Sequence, residues 1–229
     1  MYESGLNTGG EQMEHVKTFH SISYETAQGT IIIEGPLSAT ELSQYYFHEQ
    51  LTAFRPAAKQ FEALLEIAEF PEGRIIVART TDTIVGYVTY LHPDPLERWS
   101  TFNMEDLIEL GAIEMIPSYR GERVASNLLK VSMMDEYMEN YIIISTEYYW
   151  HWDLEGTKLS IWNYRKIMEK MMAAGGLLPA PTDDPEIISH PANCLMVRIG
   201  ENVHEESIQQ FDKLRFLARN KYRDMREGL

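Results

Sequence analysis

Two periodic patterns of apolar residues run along the chain, and they predict a mixed α/β (α+β) fold. Short β-branched or continuously apolar runs predict strands at 30–34, 74–79, 83–92, within 104–116, 141–146 and 193–200. Apolar residues spaced three and four positions apart predict helices at 40–52, 57–70, 123–139, 157–174 and 205–219. The resulting order, β-α-α-β-β-β-α-β-α-β with a terminal helix, indicates a mixed sheet with helices on both faces.

The same patterns predict one domain with a short extension at each end. Residues 1–20 are polar and contain glycines, which predicts a frayed N-terminal tail. Residues 21–204 form the predicted domain, and residues 205–229 form a C-terminal helix and tail. A chain of 229 residues is long enough to bury a sizeable core in one such domain.

Residues 113–129, which read IEMIPSYRGERVASNLL, contain a junction suited to binding an anion. An apolar strand ends at Pro117, a turn with Arg120 and Gly121 follows, and a helix then begins. The first N–H groups of a helix have no intrahelical partner, and the helix dipole adds positive potential at the same end. A pyrophosphate group would therefore fit at this junction.

Composition narrows the class of partner. The formal net charge of -15 opposes binding to nucleic acid or anionic membranes and suits a cationic partner. No apolar run approaches the ~20 residues of a membrane helix, and the first residues lack a signal-peptide pattern. The single cysteine, Cys194, excludes an internal disulfide and fits a reducing cytoplasm. The seven histidines show no i,i+4 pair and no grouping with Cys194, so no metal site is predicted.

The anion loop resembles motif A of the Gcn5-related N-acetyltransferases (GNAT), which reads Gln/Arg-x-x-Gly-x-Gly/Ala after a strand. Arg120 takes the first position and Ala125 the last, while Arg123 stands in place of the middle glycine. Longer strings resemble one family over about residues 16–217, the bacterial acetoin-utilisation protein A (AcuA) acetyltransferases. These strings are FHEQLTAFRP (47–56), YLHPDPLERWS (90–100), NMEDLIELGAIE (103–114), VSMMDEYMENYI (131–142), TEYYWHWDLEGTK (146–158) and SHPANCLMVRIG (189–200).

The resemblance implies a fold and an activity. The expected fold is a mixed, mostly antiparallel sheet whose fourth and fifth strands, in the family's count, splay apart. The expected activity is that of a cytoplasmic protein lysine N-acetyltransferase that uses acetyl-CoA and inactivates AMP-forming acetyl-CoA synthetase. Two alternatives remain open: acetylation of a small polyamine or amino-sugar, and a non-catalytic CoA-binding regulator of a partner enzyme.

Acetylation of an amine requires a group that takes its proton, and carboxylates near the loop are the candidates. Glu109 is the first candidate, because many acetyltransferases of this superfamily carry a strand glutamate eleven residues before the position of Arg120. In an unbroken strand Glu109 shares a face with Ile113, and Glu114, the second candidate, lies on the opposite face. Glu147, just after the next strand, is the third candidate.

The resemblance also implies a set of CoA-binding residues. Splayed strands leave backbone groups of Ile113, Glu114 and Met115 free to pair with the pantetheine amides. The N–H groups of residues 121–126 are expected to hold the pyrophosphate, with Arg120 oriented at the turn. The loop members are Arg120, Gly121, Glu122, Arg123, Val124, Ala125 and Ser126. The Arg123 side chain has two interpretations: it reaches a phosphate of CoA, or it only tolerates the loop conformation and is solvated.

No general acid is identified. Many relatives carry a tyrosine before Glu-Lys on the late helix, and here Met168 takes that place. Tyr148, Tyr149 and Tyr164 are substitutes by proximity only. The aromatic cluster 148–152 has three interpretations: a wall of the acyl tunnel, a contact for a protein partner, or ordinary core.

Overall fold

The computed structural model describes residues 13–219, so parts of both predicted tails, residues 1–12 and 220–229, lie outside the described range. These residues form one mixed, mostly antiparallel sheet. The strands are β1 (His20–Thr26), β2 (Gly29–Gly35), β3 (Tyr46–Phe47), β4 (Arg74–Arg79), β5 (Thr83–Leu91), β6 (Leu107–Met115), β7 (Ile142–Glu147), β8 (Leu178–Ala180) and β9 (Cys194–Ile199). Their order across the sheet is β1-β2-β4-β5-β6-β7-β9-β8, and β3 pairs with β5.

Helices cover both faces of this sheet, which confirms the predicted fold class. They are α1 (Ala39–Leu42), α2 (Ala57–Glu69), α3 (Val124–Ser132), α4 (Leu154–Thr157), α5 (Ile161–Met172), α6 (Pro185–Ile188) and α7 (Glu205–Arg215). Tyr87 and Tyr90 lie three positions apart on β5 and therefore point to opposite faces. Tyr87 packs with Phe47 on what we call the α2 face, and Tyr90 lies against Ser132 of α3 on the α3 face.

Two groups of buried apolar residues form the core. The larger group lies between the sheet and helices α2, α3 and α5. The smaller group lies on the α2 face, where Phe211 and Leu214 of α7 pack with Trp99, Ile142 and Ile144. Phe211 and Leu214 are fully buried. Burying one such side chain contributes about 1.5–3 kcal/mol, so α7 is held firmly in the domain core.

The N-terminal part of the described chain differs from the prediction. Strand β1 was not predicted, because its polar alternation carries little apolar signal, yet it pairs with β2 along its whole length. Residues 13–19 are also not frayed. The Arg74 guanidinium donates to the carbonyl of Val16, and the N–H of Thr18 donates to Asp135. Backbone groups of a polar segment thus serve as partners for a buried ion pair, which composition alone does not indicate.

Tertiary contacts also shorten two predicted helices. Ser38 caps α1 in a capping box with Glu41, but the helix ends at Leu42 rather than at 52. Phe47 then leaves the helical path and stacks on Phe61 at 5.2 Å between ring centres. The predicted helix 123–139 likewise ends at Ser132, after which a 3₁₀ turn (Glu136–Asn140) leads into β7.

Candidate active site

Strands β6 and β7 lie side by side for only three residues and then diverge. Their parallel pairing ends where Glu109 faces Ile144. Beyond that point β6 continues along β5 to Met115, while β7 continues along β9 to Glu147. These are the fourth and fifth strands of the family's count, and the predicted splay is present.

The gap between the diverging strands exposes backbone groups of β6. The N–H of Ile116 donates to the carbonyl of Val85 at 3.0 Å. Antiparallel pairing alternates, so the backbone groups of Glu114 also face β5, and those of Ile113 and Met115 face the gap. Ladder groups left without a partner strand need another polar partner. The amides of a pantetheine arm fit this requirement at Ile113 and Met115, whereas the backbone of Glu114 is used by β5.

The loop between β6 and α3 adopts two left-handed backbone conformations. Gly121 has φ of 83°, and Arg123, the residue before α3, has φ of 58° and ψ of 17°. A non-glycine residue in this region costs on the order of 1 kcal/mol or more, which explains why the family motif has glycine there. Arg123 therefore tolerates a backbone conformation that favours glycine.

The first turn of α3 offers hydrogen-bond donors at the mouth of the gap. The N–H of Asn127 is the first to bond back, to the carbonyl of Arg123 at 3.1 Å. The N–H groups of Val124, Ala125 and Ser126 precede it and have no acceptor within the helix. The N–H of Glu122, in contrast, turns back to Tyr119 at 3.3 Å. The donors suited to a phosphate are thus those of the helix start rather than every N–H of the loop.

Two contacts hold this loop in place. The hydroxyl of Tyr24 on β1 donates to the carbonyl of Glu122 at 2.9 Å. On the other side, the guanidinium of Arg120 pairs with the carboxylate of Asp153 at 2.7 Å. Asp153 also caps α4 by accepting from the N–H of Gly156, and together these contacts lower the pKa of Asp153. Arg120 is therefore oriented at the turn by a carboxylate of the segment that follows β7.

Glu109 lies at the point where β6 and β7 separate, and its environment favours the neutral carboxyl. The hydroxyl of Thr146 on β7 donates to Oε1 of Glu109 at 3.1 Å. Burial raises the pKa of Glu109 to about 7, and the negative charges of Glu97, Glu147 and Asp94 add to that rise. The hydrogen bond from Thr146 acts in the opposite direction. A carboxyl group with this pKa is well suited to accept a proton at neutral pH.

The prediction that Glu114 lies on the opposite face from Glu109 is wrong. Thr89 of β5 faces Ala112, but the next residue, Tyr90, faces Leu110, so Gly111 is an extra residue in β6. Such a bulge shifts the alternation of side chains by one position. As a result Glu109 and Glu114 both point to the α2 face.

The carboxylate of Glu114 is nonetheless occupied by structural contacts. It accepts a hydrogen bond from the N–H of Ala53 and another from the hydroxyl of Tyr87, each at 2.8 Å. Glu114 is only 9% exposed, and these bonds tie the loop before α2 to the centre of the sheet. Glu114 thus serves more readily as an anchor for that loop than as a base.

Glu147 lies on the other face, beneath an aromatic cover. Its carboxylate accepts from the hydroxyl of Ser145 at 3.0 Å and from the indole N–H of Trp152 at 3.3 Å. Burial raises the pKa of Glu147. Tyr164 stacks on Trp152, and Met168, in the place of the family tyrosine, is buried in the core. Glu147 is therefore less accessible to an incoming amine than Glu109.

Sequence reasoning missed Thr146, Glu97 and Asp94, which act on Glu109, and Glu186, which acts on Tyr148 beside the site. The contact between Thr146 and Glu109 depends on the parallel pairing of residues 107–109 with 142–144, and that register was not predicted from the sequence. Glu97 and Glu186 carry no local signal. They lie on a loop and on the short helix α6, and the charge of each raises the pKa of a group beside the site, Glu109 for Glu97 and Tyr148 for Glu186.

A splayed strand pair, an anion-binding helix start and a glutamate where the strands part together define an N-acetyltransferase of the GNAT class. The sequence model of the acetyltransferase (GNAT) family matches residues 41–148. The chain is 67% identical over 210 residues to the acetoin utilization protein AcuA of Bacillus subtilis (strain 168), an alignment that covers 92% of this chain and 100% of that protein. AcuA of Bacillus licheniformis is 65% identical over the same lengths. The chain belongs to the AcuA family of acetyl-CoA-dependent N-acetyltransferases.

Solved structures agree with this assignment. The acetoin utilization protein from Exiguobacterium sibiricum 255-15 matches with a TM-score of 0.88 and 55% identity, covering 90% of this chain and 98% of that one. The GNAT domain of S. lividans PAT matches with a TM-score of 0.50 and 12% identity, covering 78% and 96%, and that likeness concerns the fold alone. Within residues 13–219 no helix has the length and apolar character needed to cross a membrane.

Proposed function

We propose that this protein transfers the acetyl group of acetyl-CoA to a lysine side chain of AMP-forming acetyl-CoA synthetase in the cytoplasm and so inactivates that enzyme. The observation that carries the proposal is Glu109, a half-buried carboxyl group with a pKa of about 7 at the point where β6 and β7 separate. Membership of the AcuA family supports a role in acetoin and acetate metabolism.

The chemistry requires a neutral amine. A lysine ammonium has a pKa near 10.4, so neutralising it at pH 7 costs roughly 4–5 kcal/mol, at 1.36 kcal/mol per pH unit. Glu109 takes one proton from that ammonium, directly or through a water molecule, and leaves the nitrogen lone pair free to react. The nitrogen attacks the carbonyl carbon of the acetyl-CoA thioester, the C–S bond breaks, and CoA leaves as a thiolate that takes up the second proton lost by the nitrogen, through solvent. The hydroxyl of Thr146 holds the Glu109 carboxylate in position.

The residues of the gap and loop fit acetyl-CoA. Backbone groups of Ile113 and Met115 would hold the pantetheine arm. The N–H groups of Val124, Ala125 and Ser126 would hold the pyrophosphate, and Arg120 would add positive charge at the same turn. This arrangement directs the thioester towards the end of the gap that contains Glu109.

The charges near Glu109 favour a cationic acceptor. Glu97 and Asp94 act on Glu109 through space, and both raise its pKa. Carboxylates attract an ammonium group and favour its approach before it is deprotonated. The same attraction would serve a polyamine, so the acceptor class has to be tested by experiment.

The test incubates the protein and acetyl-CoA with one acceptor at a time. The acceptors are purified acetyl-CoA synthetase, spermidine and glucosamine. We expect one acetyl group on a synthetase lysine, found by mass spectrometry, together with loss of synthetase activity. Acetylation of only the small amines would replace the proposal with the small-molecule alternative. Inhibition of the synthetase without any increase in its mass would indicate the non-catalytic regulator.

A further inference from the structure

We propose that a surface beside Glu109 selects the acceptor by the residues that flank its lysine, favouring a segment with basic neighbours and an apolar side chain. We call this surface the acceptor rim and define it by Asp94, Glu97, Tyr148, Trp150 and Glu186. The proposal rests on the function proposed above, because it concerns how the same site recognises a protein lysine.

The acceptor rim is continuous with the proposed base. Thr146 contacts Glu109 through its hydroxyl and also acts on Tyr148, and the phenol of Tyr148 donates to the carboxylate of Glu186 at 3.5 Å. Thr146 and Tyr148 lie two positions apart at the end of β7 and its exit, so both point to the α2 face. A lysine that reaches Glu109 therefore lies within a short distance of Tyr148, and its neighbours in sequence extend along the rim.

The aromatic part of the rim offers an apolar contact. Trp150 stacks on Tyr148 with 4.8 Å between ring centres and 16° between planes, and His151 meets the same tyrosine edge-on at 5.8 Å. Trp150 nevertheless remains 46% exposed. Trp and Tyr are the side chains that dominate binding energy at protein interfaces, since they bury much area at low entropic cost. An exposed indole of fixed orientation suits an apolar side chain of a partner.

Basic side chains of the described residues do not pair with the acidic part of the rim. Burial raises the pKa of Glu97, and the like charges of Asp94, Glu186 and Asp184 add to that rise. Among residues 13–219, none of the three rim carboxylates forms an ion pair. Arg98, the cation next in sequence to Glu97, is engaged by Asp183 and by the carbonyl of Leu214. The negative charge is thus available to a basic partner.

The combination indicates a polypeptide segment rather than a small amine. A polyamine could use the carboxylates but has no side chain for the indole of Trp150. A segment with a lysine at Glu109, a basic residue near Glu186 and an apolar residue against Trp150 would use every part of the rim. Each charged contact at such a rim chiefly affects the rate of encounter, and the buried aromatic contact chiefly affects dissociation.

The test uses a mixture of synthetic lysine peptides with random flanking residues, at saturating acetyl-CoA, and identifies the acetylated peptides by mass spectrometry. We expect the wild-type protein to favour peptides with basic and with aromatic or aliphatic flanks. Trp150→Ala should lose the apolar preference, with kcat/KM falling about tenfold on favoured peptides. Glu186→Gln should weaken the basic preference by about threefold to tenfold, less so at high salt.

Matched controls separate the rim from general effects. Phe19→Ala removes an aromatic side chain of similar exposure from the N-terminal segment, and Glu136→Gln removes one negative charge at the other end of β7. Neither should change the peptide preference. Acetylation of n-butylamine, which has no flanking residues, should be the same for the wild type, Phe19→Ala and Glu136→Gln.

The possible outcomes separate failure of the rim proposal from failure of the proposed function. The rim proposal is overturned if peptides are acetylated without flanking preference, or if Trp150→Ala and Glu186→Gln match the wild type on both the peptides and folded acetyl-CoA synthetase. In that case lysine acetylation itself still stands. If neither peptide nor synthetase is acetylated while CoA still raises the melting temperature, the proposed function fails and the rim proposal fails with it.

Discussion

The two faces of the sheet bury charged groups in opposite ways. On the α3 face Arg74 and Asp135 are 1% and 2% exposed, and their side chains lie 3.6 Å apart. The guanidinium of Arg74 also donates to the carbonyls of Val16 and Glu72. On the α2 face Glu109 is half-buried among other carboxylates, accepts a hydrogen bond from one hydroxyl and, within residues 13–219, forms no ion pair.

This difference separates a structural charge from a reactive one. A buried ion pair whose guanidinium also donates to backbone carbonyls holds distant segments together and leaves little chemistry available. A buried carboxyl without a cation is unfavourable as an anion, and its pKa rises into the range where it can exchange protons at neutral pH. The contrast leads to four predictions, in order of decreasing effect.

The largest effect is expected from Glu109→Gln, which keeps the shape and the hydrogen bond from Thr146 but removes the basic group. The rate of acetyl transfer at pH 7 should fall by about 10²–10⁴, because the amine is no longer deprotonated at the site. The affinity for acetyl-CoA should hardly change, since Glu109 faces the acceptor. Steady-state kinetics and CoA titration measure both quantities. Near-wild-type activity of this variant at pH 7 would remove Glu109 from the mechanism and leave Glu114 and then Glu147 to be tested.

The second effect is on stability and concerns the other face. Asp135→Ala leaves the guanidinium of Arg74 buried without its carboxylate, which should lower the free energy of unfolding by about 3–5 kcal/mol. Asp82→Ala, at an exposed turn between β4 and β5, is the matched control and should change it little. Urea denaturation measures the difference. The folded fraction of the Asp135 variant should keep its activity, and a loss of rate without a loss of stability would contradict a purely structural role.

The third prediction concerns the effect of the ionised Glu109 carboxylate on the free energy of unfolding. Because its pKa in the folded protein lies above the usual 4.5, folding favours the protonated form. That favourable contribution is complete below about pH 4.5 and is lost as the pH rises through 7. Glutamine does not titrate, so Glu109→Gln should gain stability relative to the wild type, by on the order of 3 kcal/mol above pH 7 and by little near pH 4. Thermal unfolding at several pH values measures this, and a pH-independent difference would show that Glu109 does not titrate near 7.

The smallest effect concerns the groups that shift the pKa of Glu109. Glu97, Asp94 and Glu147 all raise its pKa, and Thr146 lowers it. Removing one like charge with Glu97→Gln should lower the pKa of Glu109 and move the acidic limb of the pH–rate profile by up to about one unit to lower pH. On the alkaline plateau kcat should stay the same, because Glu109 is then ionised in both proteins, whereas KM for a basic acceptor should rise, because Glu97 belongs to the acceptor rim. Glu66→Gln, an exposed carboxylate on α2, controls for net charge, and an equal shift in both variants would mean that the effect is not local.

Local features of the site followed from the sequence, because they depend on residues close together in the chain. The strand, turn and helix of residues 113–129 formed as predicted, and Arg123 adopts the backbone conformation that the family motif reserves for glycine. The helix that begins at Val124 supplies unpaired N–H groups whatever surrounds it. The capping box of Ser38 and Glu41 is local in the same sense.

The register between strands that are distant in sequence sets the faces and the neighbours of the site side chains. The pattern of strands and helices, the strand–turn–helix junction of residues 113–129 and the glutamate at position 109 were predictable from the sequence alone. Only the tertiary structure decided that the bulge at Gly111 turns Glu109 and Glu114 to one face, and that Thr146 meets Glu109 across the splayed strands. The tertiary structure also brings the charge of Glu97 close enough to raise the pKa of Glu109, and within residues 13–219 neither carboxylate forms an ion pair. The physical reason is that a side chain's face and neighbours depend on long-range pairing, in which a shift of one residue reverses every side chain.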